Sequence, residues 1–308
     1  MVETMLRSAI LYLASQQGLR DIAVHQPLAR RLALRFVAGE RLEQAIEVVR
    51  GLNSRGMHAS LDFLGENTTN TAEAKLAAEE YLEILDRIAQ ARVDSNISIK
   101  LTQLGLDLDV DLARENLRRI VARAVEWDNF VRVDMESSAY TQRTLDLVRR
   151  AHAEFGNHVG PVIQAYLYRS AADVEDLIQR GMRVRLCKGA YKEPAAVAFP
   201  WKKDVDANLI RLAEQLLLKG NYPGLATHDE KIIDWVLGFV ESRKIPSSRF
   251  EFQMLYGIRR GLQEKLASAG HNVRVYVPYG TQWYPYLMRR LAERPANLVF
   301  VLSNLLRG

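Results

Sequence analysis

The sequence predicts one (β/α)8 barrel of the TIM type preceded by N-terminal helices, and three observations carry that prediction. From about residue 57, short β-branched segments alternate with longer segments of three- and four-residue apolar spacing, the pattern of parallel βα units. Eight such units fill about 250 residues, the usual size of this barrel. No linker or low-complexity stretch divides the region. The expected organisation is a helical segment over 1–56 and a barrel over 57–308.

Residues 1–50 read as helices. "RDIAVHQPLARRLALRFVAGERLEQAIEVVRGL" keeps helical apolar spacing, with Gly51 as its expected stop. The strands follow in "HASLDFLG" (58–65), "NISIKLTQL" (96–104), "FVRVDMES" (130–137) and "GPVIQAYL" (160–167). The second four lie in "MRVRLCKG" (182–189), "GLATHD" (224–229), "RFEFQMLYG" (249–257) and "NVRVYVPYG" (272–280). Helical stretches between them include "TAEAKLAAEEYLEILDRIAQA", "TQRTLDLVRRAHAEFG" and "DVEDLIQRG". "QWYPYLMRRLAERPANLVFVLSNLL" follows the last strand.

Side chains alternate across a strand, so each strand shows two faces. Val131, Val133 and Met135 share one face of the third strand, and Arg132, Asp134 and Glu136 the other. Val184 and Leu186 oppose Arg183 and Arg185. Phe250 and Phe252 oppose Glu251 and Gln253, Val273 and Val275 oppose Arg274 and Tyr276, and Ile97 and Ile99 oppose Ser98 and Lys100. With the apolar faces turned to the helices, the barrel interior collects Lys100, Arg132, Arg183, Arg185 and Arg274 against Asp62, Asp134, Glu136 and Glu251. Buried charges must pair or meet a ligand. A closed lattice of ion pairs accounts for any one pair. A polar ligand site at the C-terminal strand ends accounts better for the whole set.

Composition narrows the function. Hydrophobic residues at 48% and charged residues at 26% are the balance of a soluble globular protein. A net charge of +5 is small for this length and gives weak support to nucleic-acid binding. One cysteine, Cys187, excludes an internal disulfide and any multi-cysteine metal site, and fits a reducing compartment. "LRSAILYLASQQ" imitates a signal peptide, but Glu3 and the scarcity of cysteine oppose that reading, and a cytoplasmic location is expected. No metal site is expected, since the histidines are scattered and H-E-x-x-H is absent. No two glycines are separated by a single residue, so the G-x-G-x-x-G dinucleotide fingerprint is missing. "GLNSRG" is followed by Met57, so there is no P-loop.

Three features remain. "LCKGAYKEP" closes the fifth strand with small residues that let backbone N–H groups approach an anion beside Lys188. Lys188 or Lys100 also suits a Schiff-base amine, which would make the chain a lyase or aldolase. His228 stands at the end of the sixth strand. Arg289 and Arg290 follow the eighth strand among Trp283, Tyr284 and Tyr286, and arginine suits bidentate carboxylate recognition. These residues describe a barrel binding a small carboxylate among cations and rings. A basic barrel binding nucleic acid or a partner is the non-enzyme alternative.

"VDMESSAYTQRTLDLV", "IQAYL", "VRLCKGAY", "ATHD", "FQMLYG" and "VYVPYG…YLMRRLAE", in this order, resemble the proline dehydrogenase family in its monofunctional bacterial form. The resemblance implies noncovalent FAD and oxidation of L-proline to Δ1-pyrroline-5-carboxylate, with hydride passing from proline C5 to flavin N5 and electrons leaving to a quinone. It implies that Lys100, Arg289 and Arg290 bind the proline carboxylate, that Tyr276 and Tyr286 pack on its ring, and that Leu186 and Tyr191 complete the pocket. Asp134 would pair with Lys100, and Arg185 would stand beside the isoalloxazine. Met135, Gln164, Lys188, Gly189, Ala190, Thr227, His228 and Glu293 match FAD-contacting positions. Implied partners are the quinone, a pyrroline-5-carboxylate dehydrogenase and the inner face of the cell membrane as a peripheral contact; nucleic acid is not among them.

Overall fold

The structure, a computed structural model, describes residues 33–65 and 67–293, without the side chains of 289 and 291–293. The helices expected over residues 1–32, and the continuation of the last helix beyond 293, lie outside the described residues. Eight strands, all parallel to their neighbours, close into a barrel in chain order: β1 (His58–Phe63), β2 (Ser95–Ile99), β3 (Val131–Val133), β4 (Val159–Gln164), β5 (Arg185–Cys187), β6 (Gly224–Ala226), β7 (Glu251–Leu255) and β8 (Val273–Tyr279). The closing seam pairs Ser60 with Tyr276 and Asp62 with Pro278. Every strand falls inside its expected segment or within one residue of it. The strands stop short of the segments' C-terminal ends, where the chain turns into the loops that carry the polar residues.

Helices α2 (Thr71–Ala91), α3 (Val110–Glu126), α4 (Ser138–Phe155), α5 (Ser170–Gln179), α6 (Lys202–Lys219), α7 (Glu230–Ser242) and α8 (Arg260–Ser268) follow β1 to β7. α2 shows why they form. Asn70 caps it by accepting a hydrogen bond from the Glu73 amide at 3.0 Å, and Ala74, Ala77, Ala78, Tyr81, Ile84, Leu85 and Ile88 make one buried stripe. Arg92 ends it in the left-handed region at φ 51°. The stripe meets the outward faces of β1 and β2, where Ile97 and Ile99 are fully buried, and other helices cover Val131, Val133, Val273 and Val275 in the same way. Burial of each such side chain is worth about 1.5–3 kcal/mol.

The helix before the barrel, α1 (Leu42–Asn53), does not stop at Gly51 as expected. Gly51 has open space around it and stays helical, and the turn comes at Gly56, where φ is +74°. α1 packs on β1 and β8, with Leu42, Ala45, Ile46, Val49 and Leu52 in the main core. It thereby covers the outer wall at the seam. The helix after β8, α9 (Trp283–Glu293), belongs to a separate apolar cluster. There Trp283, Tyr284, Tyr286 and Leu287 pack with Phe36 and Val37, with Leu64 just past β1, and with Ile258 in the loop after β7. α9 therefore lies over the C-terminal mouth of the barrel.

Candidate active site

The charged interior divides into two layers. Toward the N-terminal strand ends, Arg274 grips Glu251 with Nε 2.9 Å from both carboxylate oxygens and donates Nη1 to the Ala59 carbonyl at 2.7 Å. Burial alone would raise the Glu251 carboxyl, but Arg274 holds it below the usual carboxylate range. Arg132, 1% exposed, donates to the Pro161 and Arg183 carbonyls at 3.0 and 2.6 Å. Gly160 makes room for it: a Cβ there would stand 2.1 Å from the Arg183 carbonyl and 3.1 Å from the Arg132 guanidinium. Arg183 lies between the Phe130 and Tyr222 rings, 4.3 and 4.8 Å from their centroids. Burial pushes the pKa of Arg132 well down, with the neighbouring Arg185 and Arg183 adding to it. These residues form the closed lattice. The expectation that Arg132, Arg183, Glu251 and Arg274 belong to a ligand site at the mouth does not hold, because none lies beyond the second residue of its strand and they bond in pairs to one another.

The upper layer centres on Asp134, the first residue after β3. One carboxylate oxygen accepts from Ser98 Oγ at 2.9 Å and Arg185 Nη1 at 2.8 Å, and the other from the Tyr276 hydroxyl at 2.8 Å. Arg185 Nη1 also donates to Ser98 Oγ at 3.0 Å, and its guanidinium lies 5.3 Å from the Tyr276 ring centroid. Burial, then the Asp134 charge, raises the Tyr276 hydroxyl well above its usual value, so it stays a donor. Lys100 hydrogen-bonds Asp62 at 3.1 Å, while Asp134 stands 3.9 Å away. The expected Lys100–Asp134 ion pair is present at the longer distance, and the nearer carboxylate is Asp62, which alternation had placed inside the barrel without a role. Burial raises the Asp62 carboxyl, with Lys100 opposing the shift.

Leu186 is a second correction. It follows Arg185 on a strand, so its side chain takes the opposite face, fully buried in the main apolar core. It is not brought to the Asp134 cluster. Arg290 on α9 lies 5.2 Å from the Tyr286 ring centroid. The side chains of Arg289 and Glu293 lie outside the described residues.

The positions matched to a flavin gather at the ends of β3 to β6. Gln164 donates Nε2 to the Met135 carbonyl at 3.2 Å, while its Oε1 is buried with no hydrogen-bond partner. Gly189 takes φ +109°, and a Cβ there would meet the Tyr166 ring at 2.4 Å. Ala190, next to it, is exposed, and Tyr191 is partly buried. Lys188 is no bare cation: it reaches Asp206 at 2.6 Å and Asp229 at 2.8 Å. Thr227 Oγ1 accepts from the Asp229 amide at 3.1 Å. His228 Nε2 accepts from the Leu255 amide at 2.9 Å, which leaves the ring proton on Nδ1. Burial pushes the Cys187 thiol up to about 12, so it is no nucleophile at neutral pH.

Sequence reasoning missed Ser98, Gln253 and Glu193 as site residues. Ser98 and Gln253 lie on the polar strand faces, so alternation marked them. Glu193 accepts from the Ser138 amide at 2.7 Å and from its hydroxyl at 2.5 Å, tying the loop that carries Tyr191 to the start of α4. No local pattern announces that contact. Among the described residues, no three His, Cys, Asp or Glu side chains come together as a metal site, and no helix is long and apolar enough to cross a membrane.

A model of the proline dehydrogenase family matches residues 45–303. Proline dehydrogenase 1 of Bacillus subtilis subsp. natto is 46% identical, over 98% of this chain and 100% of its own length. Proline dehydrogenase of Deinococcus radiodurans is 44% identical over the full length of both. Among solved structures, proline utilization A (PutA) from Bdellovibrio bacteriovorus inactivated by N-propargylglycine superposes with a TM-score of 0.82 at 25% identity, over 94% of this chain and 36% of that one. This chain thus corresponds to about a third of that longer protein. A family model across most of the sequence, and relatives above 40% identical from end to end, show that the chain belongs to the proline dehydrogenase family and is an oxidoreductase acting on proline.

Proposed function

We propose that the chain oxidises L-proline to Δ1-pyrroline-5-carboxylate with a noncovalently held FAD, and passes the electrons to a quinone. Membership of an oxidoreductase family sets aside the lyase and nucleic-acid readings. The observation that carries the FAD reading is the buried, unpartnered Gln164 Oε1 beside the Met135 carbonyl. An isolated buried acceptor is costly, and the isoalloxazine edge carries an N–H that would satisfy it. The turn at Gly189 supports the same fit, because only a residue without Cβ leaves the backbone so close to Tyr166. Met135, Gln164, Lys188, Gly189, Ala190, Thr227 and His228 would hold the cofactor, with Glu293 a further contact by resemblance. Asp206 and Asp229 compete with a phosphate for Lys188, so that lysine orients the loop as much as it supplies charge.

Bound FAD supplies the acceptor for the hydride that proline C5 gives up. The protein's residues orient the substrate. Arg289, Arg290 and Lys100 take the proline carboxylate, with Tyr276, Tyr286 and Tyr191 around the ring. Asp134 holds Arg185, Ser98 and Tyr276 in one arrangement before substrate arrives, and Asp62 does the same for Lys100. α9 over the mouth excludes water, which strengthens each of these contacts. The quinone acceptor, transfer of product to a pyrroline-5-carboxylate dehydrogenase, and a cytoplasmic protein with peripheral contact at the inner face of the membrane complete the reading; these rest on the resemblance alone.

The direct test is a spectrum. Purified protein supplied with FAD shows flavin absorption that anaerobic L-proline bleaches; protein that retains no flavin, or flavin that L-proline leaves oxidised, refutes the reading. Arg290→Met is expected to raise the proline KM by about 10- to 100-fold, since losing one charge-assisted carboxylate contact costs about 1.5–3 kcal/mol. FAD content is expected to stay at the wild-type level, because the proposed cofactor contacts other than Glu293 lie at the ends of β3 to β6 and Arg290 is not among them. An unchanged KM removes Arg290 from the substrate site.

A further inference from the structure

A chain of polar contacts runs through the barrel from the lower layer to the upper one. Arg274 holds Glu251 with two bonds of 2.9 Å, Glu251 accepts from Gln253 Nε2 at 2.5 Å, and Gln253 Oε1 accepts from Arg185 Nε. Arg185 then reaches Asp134 at 2.8 Å. All of these side chains but Asp134 are at least nine-tenths buried. We propose that Gln253, clamped by Glu251, is a positioning residue that fixes the orientation of Arg185 for proline oxidation. The proposal rests on the reading above that FAD is bound with Arg185 beside its isoalloxazine.

Donor and acceptor polarity fixes the orientation of Gln253. A primary amide has a donating and an accepting end, and a half-turn exchanges them. Glu251, ionised and anchored by Arg274, only accepts, so it binds the NH2 end of Gln253. The carbonyl must then face Arg185, whose guanidinium only donates. One orientation satisfies both neighbours, and the reverse leaves two repulsive contacts in a buried setting. Gly224 keeps that orientation open: a Cβ there would stand 2.4 Å from Gln253 Nε2. With Nε occupied by Gln253 and Nη1 by Asp134 and Ser98, the guanidinium plane has no freedom to turn. Mere neutralisation of Arg185 would need only Asp134; a second, oriented contact from the far side does the work of aiming.

The test uses the full chain with FAD. Gln253→Met keeps the volume and removes both bonds. Its kcat should fall by about 10- to 100-fold, the cost of a small misplacement of an active-site group. The proline KM should change by less than about 3-fold, because the carboxylate is held by other residues. The Arg185 Nε–H signal in 15N NMR, assigned by its loss in Arg185→Lys, should exchange with water faster in Gln253→Met. A purely packing role would lower the melting temperature and leave both kcat and this exchange rate at wild-type values, and that result overturns the proposal. Gln253→Glu gives an independent signature. Two adjacent carboxylates share a proton as pH falls, which restores a donor toward Glu251. Its kcat relative to wild type should rise from about pH 8 to about pH 6; a flat or falling ratio counts against the mechanism. Arg185→Met separates the two levels of the argument. If it keeps wild-type kcat, the reading of Arg185 itself fails and the proposal with it. If it is inactive while Gln253→Met is unimpaired, only the positioning role falls.

Discussion

Replacing Asp134 with alanine is expected to lower kcat/KM for L-proline by about 10²- to 10³-fold, the scale for loss of a preorganised polar group in an active site. Three donors, Ser98, Arg185 and Tyr276, converge on this one carboxylate, and Lys100 stands 3.9 Å from it. Without it, Arg185 keeps Gln253 and Ser98 but loses its counter-charge in a site where its side chain is 7% exposed. Removing one partner of such a pair costs about 3–5 kcal/mol, so a lower melting temperature should accompany the kinetic loss. Lys100 keeps Asp62, and the end of the site proposed to hold the carboxylate should be less affected than the end proposed to face the flavin. The loss is therefore expected mainly in kcat. Asp134→Asn separates shape from charge: its amide oxygen still accepts from Arg185 and Ser98, and only the Tyr276 contact must reverse. An intermediate value is expected there. Wild-type kcat/KM in Asp134→Ala would remove this residue from the centre of the site.

The second large effect is on stability. Glu251→Ala should destabilise the barrel by about 3–5 kcal/mol, because it leaves buried Arg274 only the more distant, half-exposed Asp94 at 4.0 Å and removes the acid whose charge favours Arg132 and Arg183. At roughly 2–4 °C per kcal/mol for a large domain, the shift in Tm is easily measured. The sign with pH follows from the lowered carboxyl of Glu251. A group whose folded pKa lies below its unfolded value contributes stability that is fully present above the unfolded value, 4.5, and is lost as pH falls through the folded one. The difference between wild type and variant should therefore be largest at neutral pH and shrink in acid. Glu251→Leu combined with Arg274→Met should recover much of the loss, since a well-packed apolar pair can replace a buried ion pair. If Glu251→Ala melts with the wild type at pH 7, the lower layer is not the electrostatic girdle described above.

Much of this was legible in the sequence, and the reason is the pleat. Alternation in "FVRVDMES" and "FEFQMLYG" separated the helix-facing residues from those inside, so the fold and the polarity of its interior could be read together. Alternation does not give depth along the strand. Arg183 and Arg185 share a face, yet Arg183 ends between two rings at the foot of the barrel and Arg185 rises to Asp134. The partner of Lys100 was equally hidden. Asp62 and Asp134 both point inward, and the register of β1 on β2, which sets Asp62 opposite Ser98, brings Asp62 to 3.1 Å. Leu186 was misplaced for the opposite reason: a motif match carried it into the pocket although its own alternation pointed to the helices.

The placement of α1 and α9 has a consequence for how the enzyme can change. In this barrel the piece that seals the wall comes before β1, and the piece that roofs the mouth comes after β8. Among the described residues the two share no apolar cluster, so side chains of α9 can be replaced without unzipping the seam. On the proposed reading, the contacts that choose the substrate sit largely on α9, and the wall that holds the barrel closed sits elsewhere. A population of variants drifting through α9 would explore new ring shapes and acids while the barrel beneath them stays folded.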